Sequence, residues 1–293
     1  MIEIFNTHRQ LLFGIAYRML GRVSEAEDMV QESWLRWQKQ NSGDIQSPKA
    51  WLVSTITRLC IGQLRSARHT REEYYGVWLP EPFVEAPGGI APVAPDESAA
   101  LADSLTMAFM LMLETLSADE RAVFLLREVF DYDYVEIAGI VKKTEANCRQ
   151  IVRRAKAQLM ANPPVPSPPD DQARLVVKRF VEATATGKME DLLALLTDDA
   201  ALYSDGGGKV VAAKRPVISA RRVSRFFVGI RPRRPANTIH HFVHINGRPG
   251  VLMIADGQIF NAISFETNAD RVQNIYVVRN PEKLRHLSDV ARN

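Results

Sequence analysis

The residues that first suggest chemistry are three consecutive glycines followed by a lysine, in the motif DGGGK at Asp205–Lys209. A glycine-rich loop that ends in lysine can hold a phosphate through its backbone N–H groups. This motif lacks the four-residue spacer and the following Ser or Thr of a nucleotide-binding loop. The glycines instead predict a turn with positive φ or a close approach to another backbone. An ordinary exposed hairpin turn is the alternative interpretation.

Side chains that could perform acid–base catalysis or bind a metal occur in the second half of the chain. On a strand, His240 and His244 point to one face and His241 to the other, and no third metal ligand is evident. Asp256 precedes a glycine, which predicts a turn. We therefore expect no catalytic residue, no metal and no cofactor, although catalysis and a small-molecule effector stay open. If the domain were catalytic, the candidate side chains would be Tyr203, His240, His241, His244, Asp256 and Tyr276.

The segment from Thr144 to Met160 could bind nucleic acid. At about 100° per residue, one helix face holds Cys148, Val152, Ala155 and Leu159, and polar and basic side chains follow on the next face. A preceding short helix and a turn at Lys142–Lys143 predict a helix-turn-helix, whose second helix would lie in the DNA major groove. A solvated surface helix is the alternative. The polar and basic side chains, called the basic arc, are Arg149, Gln150, Arg153, Arg154 and Lys156.

Composition and charge divide the 293-residue chain into two halves. Residues 1–163 carry 18 Lys/Arg and 21 Asp/Glu, whereas residues 164–293 carry 19 and 13. The run NPPVPSPPD, Asn162–Asp170, separates them and cannot continue a helix. No window is long and apolar enough for a membrane helix, and the chain begins without a signal sequence. The two cysteines lack metal-ligand spacing, so we expect a cytoplasmic protein with no membrane partner.

The elements that position these residues differ between the halves. The first half reads as helices, with predicted capping boxes at Ser24/Glu27 and Ser117/Glu120, a helix starting near Pro48, and a long apolar helix from Asp96. The second half begins with helices. A strand, the glycine turn and a second strand follow, and after another helix come four strand-like runs. Helices followed by a mostly antiparallel sheet predict an α+β domain.

The first half resembles the extracytoplasmic-function sigma factors of bacterial RNA polymerase. AEDMVQESWLRW resembles their region 2 helix that binds the polymerase clamp, and AWLVSTITRLCIGQLRSAR resembles the segment that reads the −10 promoter element. The run from LSADERAVFLLRE to the basic arc resembles region 4, which reads the −35 element. The resemblance implies contacts of Asp28, Gln31 and Glu32 with core RNA polymerase. It implies contacts of Arg58, Arg65 and Arg68 with promoter DNA, beside those of the basic arc.

The second half resembles the SnoaL-like branch of the nuclear transport factor 2-like fold, a cone of helices wrapped by a curved sheet. Three motifs, WLPEP, DGGGK and NPEKL, resemble those of sigma factors with a fused SnoaL-like domain, in which they form a regulatory interface. Asn280 capping a helix explains only the Asn-Pro part of NPEKL. The implied interface comprises Trp78, Leu79, Pro80, Glu81, Pro82, Asp205, Gly206, Gly207, Gly208, Lys209, Asn280, Pro281, Glu282, Lys283 and Leu284.

The sequence therefore predicts two all-α sigma domains followed by an α+β SnoaL-like domain. The expected bounds are 1–72 for region 2, 73–95 for the linker, 96–161 for region 4, 162–170 for the spacer and 171–293 for the SnoaL-like domain. The expected function is promoter-specific initiation regulated in cis, and a stand-alone DNA-binding regulator is the alternative. Residues 96–136 contain ten acidic side chains, and residues 206–255 contain ten basic ones and no acid. These opposite charges predict that the C-terminal domain docks intramolecularly on the sigma half.

Overall fold

The computed structural model describes residues 1–40, 45–72, 74–84, 103–159 and 168–288, without the side chains of residues 67–72. The chain divides into two compact units. The first comprises Met1–Glu73 and Pro87–Pro163, and the second comprises Tyr74–Ala86 and Pro164–Asn293. The side chain of Arg68, the linker beyond residue 84, the predicted helix start at Asp96 and most of the proline spacer lie outside the described residues.

The first unit is helical in its described part. The helices are α1 Ile2–Leu20, α2 Val23–Gln38, α3 Pro48–Glu72, α4 Met107–Leu113, α5 Ala118–Glu128, α6 Tyr134–Val141 and α7 Glu145–Leu159. Helices α1 and α2 both pack on α3, and Trp37, fully buried on α2, contacts Trp51 of α3 at 5.4 Å between ring centroids. Helix α1 also packs on α5, and α3 packs on α5 and α6.

Helix starts in the first unit depend on which side chain reaches the free backbone N–H groups. The box at Ser117 is confirmed, because Ser117 and Glu120 cap each other's backbone. The box at Ser24 is wrong: α2 begins at Val23, and Arg22 at the N-cap pairs with Glu25 at 2.9 Å instead. The predicted long apolar helix is also wrong in its described part. Thr106 caps a new helix by accepting from the Phe109 N–H at 3.3 Å.

Lys142 ends α6 with φ at 55°, the left-handed conformation that favours glycine. Lys142 is exposed and therefore has no buried packing to lose. We expect Lys142→Gly to raise the free energy of unfolding of the first unit by about 1 kcal/mol. Urea unfolding of the variant checks this. Gly139→Ala, inside α6 where a Cβ meets no atom within 4 Å, is the reverse substitution and serves as the control, because there the right-handed helical backbone favours alanine over glycine. A lower stability for Lys142→Gly would contradict the expectation.

The second unit is an α+β domain with one six-stranded sheet. Its elements are α8 Asp170–Thr186, α9 Met189–Ala194, β1 Leu196–Asp205, β2 Val217–Ile218, α10 Ala220–Ile230, β3 Ile239–Ile245, β4 Arg248–Ala255, β5 Gln258–Asn268, β6 Arg271–Val278 and α11 Pro281–Leu284. The strand order is β2-β1-β6-β5-β4-β3; β1 and β6 pair in parallel, and all other pairs are antiparallel. The core lies between helices and sheet, where the Phe180 ring contacts those of Phe227 and Phe265 at 5.3 and 5.8 Å between centroids.

The strand predicted directly after the glycine turn is wrong. Residues 210–212 form no strand, because the N–H groups of Lys209 and Val210 both bond the Gly206 carbonyl and coil the chain. The partner of β1 begins only at Val217. The four later strand-like runs are confirmed as β3 to β6. Among the helices of the described ranges, none is long and apolar enough to cross a membrane.

Candidate functional site

The basic arc lies on the exposed side of α7. Cys148, Val152 and Ala155 are buried on the opposite side together with Ile151, which confirms the predicted core face at these positions. Leu159, the fourth predicted residue, is half-buried. All members of the arc are exposed. Three of them have nearby partners: Arg149 stacks on Tyr134 with 4.3 Å to the ring centroid, Arg154 lies 3.8 Å from Glu120, and Lys156 lies 2.7 Å from Glu128. Exposed pairs of this kind are weak, so a phosphate could displace these partners.

Two predicted DNA-binding side chains on α3 have partners in the first unit: Arg58 contacts α6 and Arg65 contacts α5. Arg58 Nε and Nη2 donate to the carbonyls of Ile140 and Gly139 at 2.8 and 2.9 Å. These carbonyls lie in the last turn of α6, where the helix dipole favours a cation. Arg65 pairs with Asp119 at 2.8 Å, and Asp119 also pairs with Lys143 at 2.9 Å. A contact of Arg58 with promoter DNA would therefore require these two hydrogen bonds to break, whereas a phosphate could displace Asp119 from the exposed Arg65.

The predicted polymerase-binding face of α2 is open to solvent. Asp28 and Gln31 are exposed, and Glu32 forms an exposed pair with Arg36 at 2.8 Å. Trp34 is half-buried and packs on Phe5 with 4.9 Å between ring centroids. An acidic and polar surface on α2 thus lies beside a groove between α1 and α2 that Phe5 and Trp34 help to line.

The three short motifs meet around Asp205, whose side chain is completely buried. Its carboxylate accepts hydrogen bonds from the Tyr74 hydroxyl at 2.6 Å and from the backbone N–H groups of Leu79 and Gly207 at 2.8 and 3.0 Å. Lys283 Nζ donates to the same carboxylate at 2.8 Å. A buried carboxylate is tolerated only when it is paired and hydrogen-bonded, and these four donors meet that requirement. We call Tyr74, Leu79, Asp205, Gly207, Asn280 and Lys283 the linker cluster.

Lys283 explains the part of NPEKL that helix capping leaves unexplained. Its side chain is 2 % exposed, and Nζ donates to the Leu79 carbonyl as well as to Asp205. The ammonium lies 4.2 Å from the Trp78 ring centroid and 5.0 Å from that of Tyr74. A desolvated ammonium between two aromatic rings is a favourable cation–π arrangement. Lys283 therefore joins NPEKL, DGGGK and WLPEP in one buried network.

The glycines of DGGGK are required by both backbone conformation and space. Gly207 and Gly208 have φ of 59° and 71°. A Cβ at Gly207 would collide with the Asn280 side chain, and one at Gly206 would collide with the Val210 carbonyl. The prediction of a positive-φ turn with a close backbone approach is thus confirmed. Asn280 also caps α11 by accepting from the Glu282 N–H at 3.1 Å, and its amide donates to the Tyr74 hydroxyl at 3.0 Å.

A second contact fixes the end of residues 74–84, which we call the linker segment. Phe83 and Asn246 exchange two hydrogen bonds of 2.8 and 2.9 Å, and Val84 bridges Ile245 of β3. His286 Nε2 lies 2.8 Å from the Pro82 carbonyl. Sequence reasoning missed Asn246 and His286; the only signal was the Asn-Gly turn at residue 246. The buried positions of the segment are Leu79, Pro80, Glu81, Pro82, Phe83 and Val84.

The interior of the second unit is not filled by its described side chains. They enclose a cavity of about 780 Å³ between α8, α10 and the sheet. Among the catalytic candidates, His240 alone lines it within the described ranges, and no Asp or Glu of those ranges does so. Burial, and secondarily the charge of Arg234, lowers the pKa of His240. The described side chains thus leave the interior of this unit unfilled and place no carboxylate in the cavity wall.

The other catalytic candidates occupy separate places. Tyr276 donates to Glu266 at 2.9 Å and stacks on Tyr203. Burial raises the pKa of Glu266 and, together with Glu266, that of Tyr276. His244 pairs with Asp170 at 2.8 Å. Sequence reasoning missed Glu266, because a single acid in an apolar strand gives no signal.

Two further predictions concern the loops and metals of the second unit. Asp256 lies in a turn with φ at 51°, as predicted, and accepts from Asn237 at 2.6 Å. Its neighbour Gly257 also has positive φ. Within the described part of the chain, no group of His, Cys, Asp and Glu could hold a metal ion.

Comparison with known proteins identifies two families in the first unit. Residues 4–70 match Sigma-70 region 2, and residues 106–159 match Sigma-70, region 4. The ECF RNA polymerase sigma factor SigJ of Mycobacterium tuberculosis is 38% identical over 230 residues, which cover 78% of this chain and 72% of that protein. The probable ECF RNA polymerase sigma factor SigI of the same species is 29% identical over 282 residues, 96% and 93% of the two chains.

A solved structure matches both units. The crystal structure of Mycobacterium tuberculosis extracytoplasmic function sigma factor SigJ aligns with a TM-score of 0.77 at 29% identity. The alignment covers 97% of this chain and 98% of that chain. The likeness therefore extends through the linker segment and the C-terminal sheet.

Proposed function

Because the chain belongs to the extracytoplasmic-function sigma factors that carry a C-terminal SnoaL-like domain, we propose that it binds core RNA polymerase in the cytoplasm and directs initiation at a two-element promoter. The observation that carries this proposal is the exposed basic arc on the second helix of the helix-turn-helix. Promoter-directed transcription with purified core polymerase tests it. A chain that binds DNA tightly without polymerase and starts no transcript would instead be a stand-alone regulator.

Regulation in cis is the second part of the proposal. The linker segment joins region 2 to region 4, yet its hydrogen bonds include those with Asp205 of β1, with Asn246 and with Lys283 of α11, all in the C-terminal domain. When these bonds are present, the segment cannot serve as a free tether between the two promoter-reading regions. Release of the segment on polymerase, or by an effector, would then activate the factor, provided that the trigger favours the released state. The implied regulatory interface thus acts through the linker cluster.

We propose a regulatory rather than a catalytic role for the C-terminal domain. The described lining of its cavity holds one histidine with a lowered pKa but no carboxylate partner for it. General acid–base catalysis would need a second group placed against a substrate. The predicted docking of the basic stretch 206–255 on the acidic stretch 96–136 remains a proposal that rests on charge alone. A salt-sensitive association of the two separated halves would support it.

Loss of a basic-arc side chain should weaken promoter binding. We expect Arg153→Ala to cost about 1 to 3 kcal/mol of binding free energy and to relax specificity if Arg153 reads a base. If it contacts a phosphate, binding weakens for all sequences and the salt dependence falls. Arg179→Ala, an exposed charge on α8, is the matched control. If polymerase carrying the native chain and polymerase carrying Arg153→Ala bind the promoter with equal affinity, Arg153 does not contact promoter DNA.

Charge reversal on the exposed face of α2 should weaken binding to polymerase. We expect Asp28→Lys/Glu32→Lys to lower the affinity for core enzyme, since acidic residues at a basic surface accelerate and strengthen association. The expected loss is roughly tenfold, and the circular dichroism melting curve should stay unchanged because Asp28 is exposed and Glu32 is only partly buried. Asp131→Lys, at a 95% exposed side chain on another helix end, is the control. Unchanged affinity of the double variant would reject this assignment.

A further inference from the structure

The cavity of the second unit has apolar walls over most of its surface. Phe226 and Ile230 of α10 face the sheet residues Met253, Phe260 and Ile263 across it. Its volume of about 780 Å³ falls within the range of small-molecule sites, which is roughly 300 to 1,000 Å³. Nonpolar walls of this size favour a ligand with a sizeable hydrophobic part.

A row of side chains that pair across β3, β4 and β5 crosses this apolar surface and includes the polar residues His240 and Asn261. His240 pairs with Met253 between β3 and β4, and Met253 pairs with Asn261 between β4 and β5. Asn261 in turn accepts from Arg279 Nε at 2.9 Å. Arg234 is also part of the cavity wall. The guanidinium groups of Arg234 and Arg279 therefore line the same cavity, as do the cationic side chains of Arg233 and Lys209.

Neither guanidinium is neutralised by the described residues. Arg234 donates to the Thr184 hydroxyl at 3.3 Å, and Arg279 donates to Asn261 and to the Val211 carbonyl. No carboxylate of the described residues acts on the pKa of either one. Burial is the main cause that lowers the pKa of both arginines, and Arg231 adds to it for Arg234. A partly buried cation without a counter-charge is costly, so the site favours an anion.

We propose that the cavity binds a hydrophobic monocarboxylic acid, with its carboxylate at Arg234, His240 and Arg279 and its apolar part against the aromatic walls. A neutral hydrophobic ligand would leave the two arginines without a counter-charge. A small inorganic anion would leave the apolar walls uncovered. A single negative charge on an apolar body satisfies both parts of the site.

The bound acid would also reach the linker cluster. The backbone N–H of Arg279 donates to the Asp205 carbonyl at 2.7 Å, and its side chain contacts the Val211 carbonyl just after the glycine turn. A carboxylate would compete with Val211 for the guanidinium. This consequence rests on the proposed function, according to which the linker cluster controls the factor. The proposal that the cavity binds the acid does not depend on that function.

The test uses isothermal titration calorimetry of the full chain with dodecanoate and with dodecanol, its neutral counterpart. We expect saturable binding of both, with dodecanoate bound about tenfold more tightly or better, since a hydrogen bond to a charged group is worth that factor. In Arg234→Met/Arg279→Met we expect the preference to disappear while dodecanol still binds. Arg222→Met, an exposed arginine of α10, should keep the preference.

Absence of saturable dodecanoate binding, or equal affinity of the native chain for the two probes, would overturn the proposal. A double variant that keeps the preference would overturn it as well. The comparison on the native chain needs no variant, so it decides even if the double variant does not fold. The titration contains no polymerase, so its failure is distinct from a failure of promoter-directed transcription, which would refute the proposed function.

Discussion

Lys283→Met is expected to destabilise the C-terminal unit by about 3 to 5 kcal/mol. The substitution keeps the side-chain volume but removes the ammonium that pairs with Asp205, and both side chains are at most 2 % exposed. The remaining donors from Tyr74, Leu79 and Gly207 cannot replace the lost positive charge. Urea unfolding followed by tryptophan fluorescence measures the loss, because Trp78, whose ring centroid lies 4.2 Å from the Lys283 ammonium, is the one tryptophan of the second unit's sequence.

Lys209→Met is the matched control for this experiment. It removes the same charge from the pair of Lys209 with Glu282, whose side chains are 48% and 46% exposed. An exposed pair contributes about 0 to 1 kcal/mol, so the two substitutions should differ by several kcal/mol. Equal stabilities of the two variants would show that the buried pair does not hold the linker cluster together.

Gly207→Ala is expected to cost about 2 to 4 kcal/mol of unfolding free energy, the second largest effect. Positive φ alone costs a nonglycine residue about 1 to 2 kcal/mol. At Gly207 the new Cβ would in addition push away the Asn280 side chain, which caps α11 and donates to Tyr74. A calorimetric melting curve of the full chain measures the cost.

The turn at Gly257 separates the two causes. Gly257 has φ of 72°, yet a Cβ there would meet no atom within 4 Å. Gly257→Ala therefore carries the conformational cost without the collision, and it should be the milder substitution by about 1 to 2 kcal/mol. If both variants melt at the same temperature, the close approach of Gly207 to Asn280 contributes nothing.

Local patterns in the sequence predicted most of the elements. The capping box at Ser117, the helix end at Gly187, and the Asn-Gly and Asp-Gly turns are fixed by neighbours within a few residues, so they can be found without a structure. The buried face of α7 follows from helical periodicity in the same way. The start at Val23 could not be found, because Arg22 has no acceptor that could cap a helix, whereas Ser24 is a favoured cap residue.

The candidate site depends on contacts between distant parts of the chain. Asn280 and Tyr74 are 206 positions apart, and Lys283 and Leu79 are 204 apart. Motif resemblance named Leu79 and Lys283, but no local pattern states that a lysine will be buried against a carboxylate and two rings. The hydrogen bonds that Arg58 donates to carbonyls of α6 were missed for the same reason.

The central claim, that the linker cluster restrains the sigma factor, is tested most directly by promoter-directed transcription with purified core polymerase. The native chain is compared with Lys283→Met, with a chain lacking residues 280–284 and with one ending at Asn162, and Gly257→Ala serves as the control. Release of the linker segment predicts a severalfold rise in transcript for at least one of the three altered chains and an unchanged level for the control. If all three altered chains only lose activity, the cluster does not restrain the factor, and the C-terminal domain instead assists transcription.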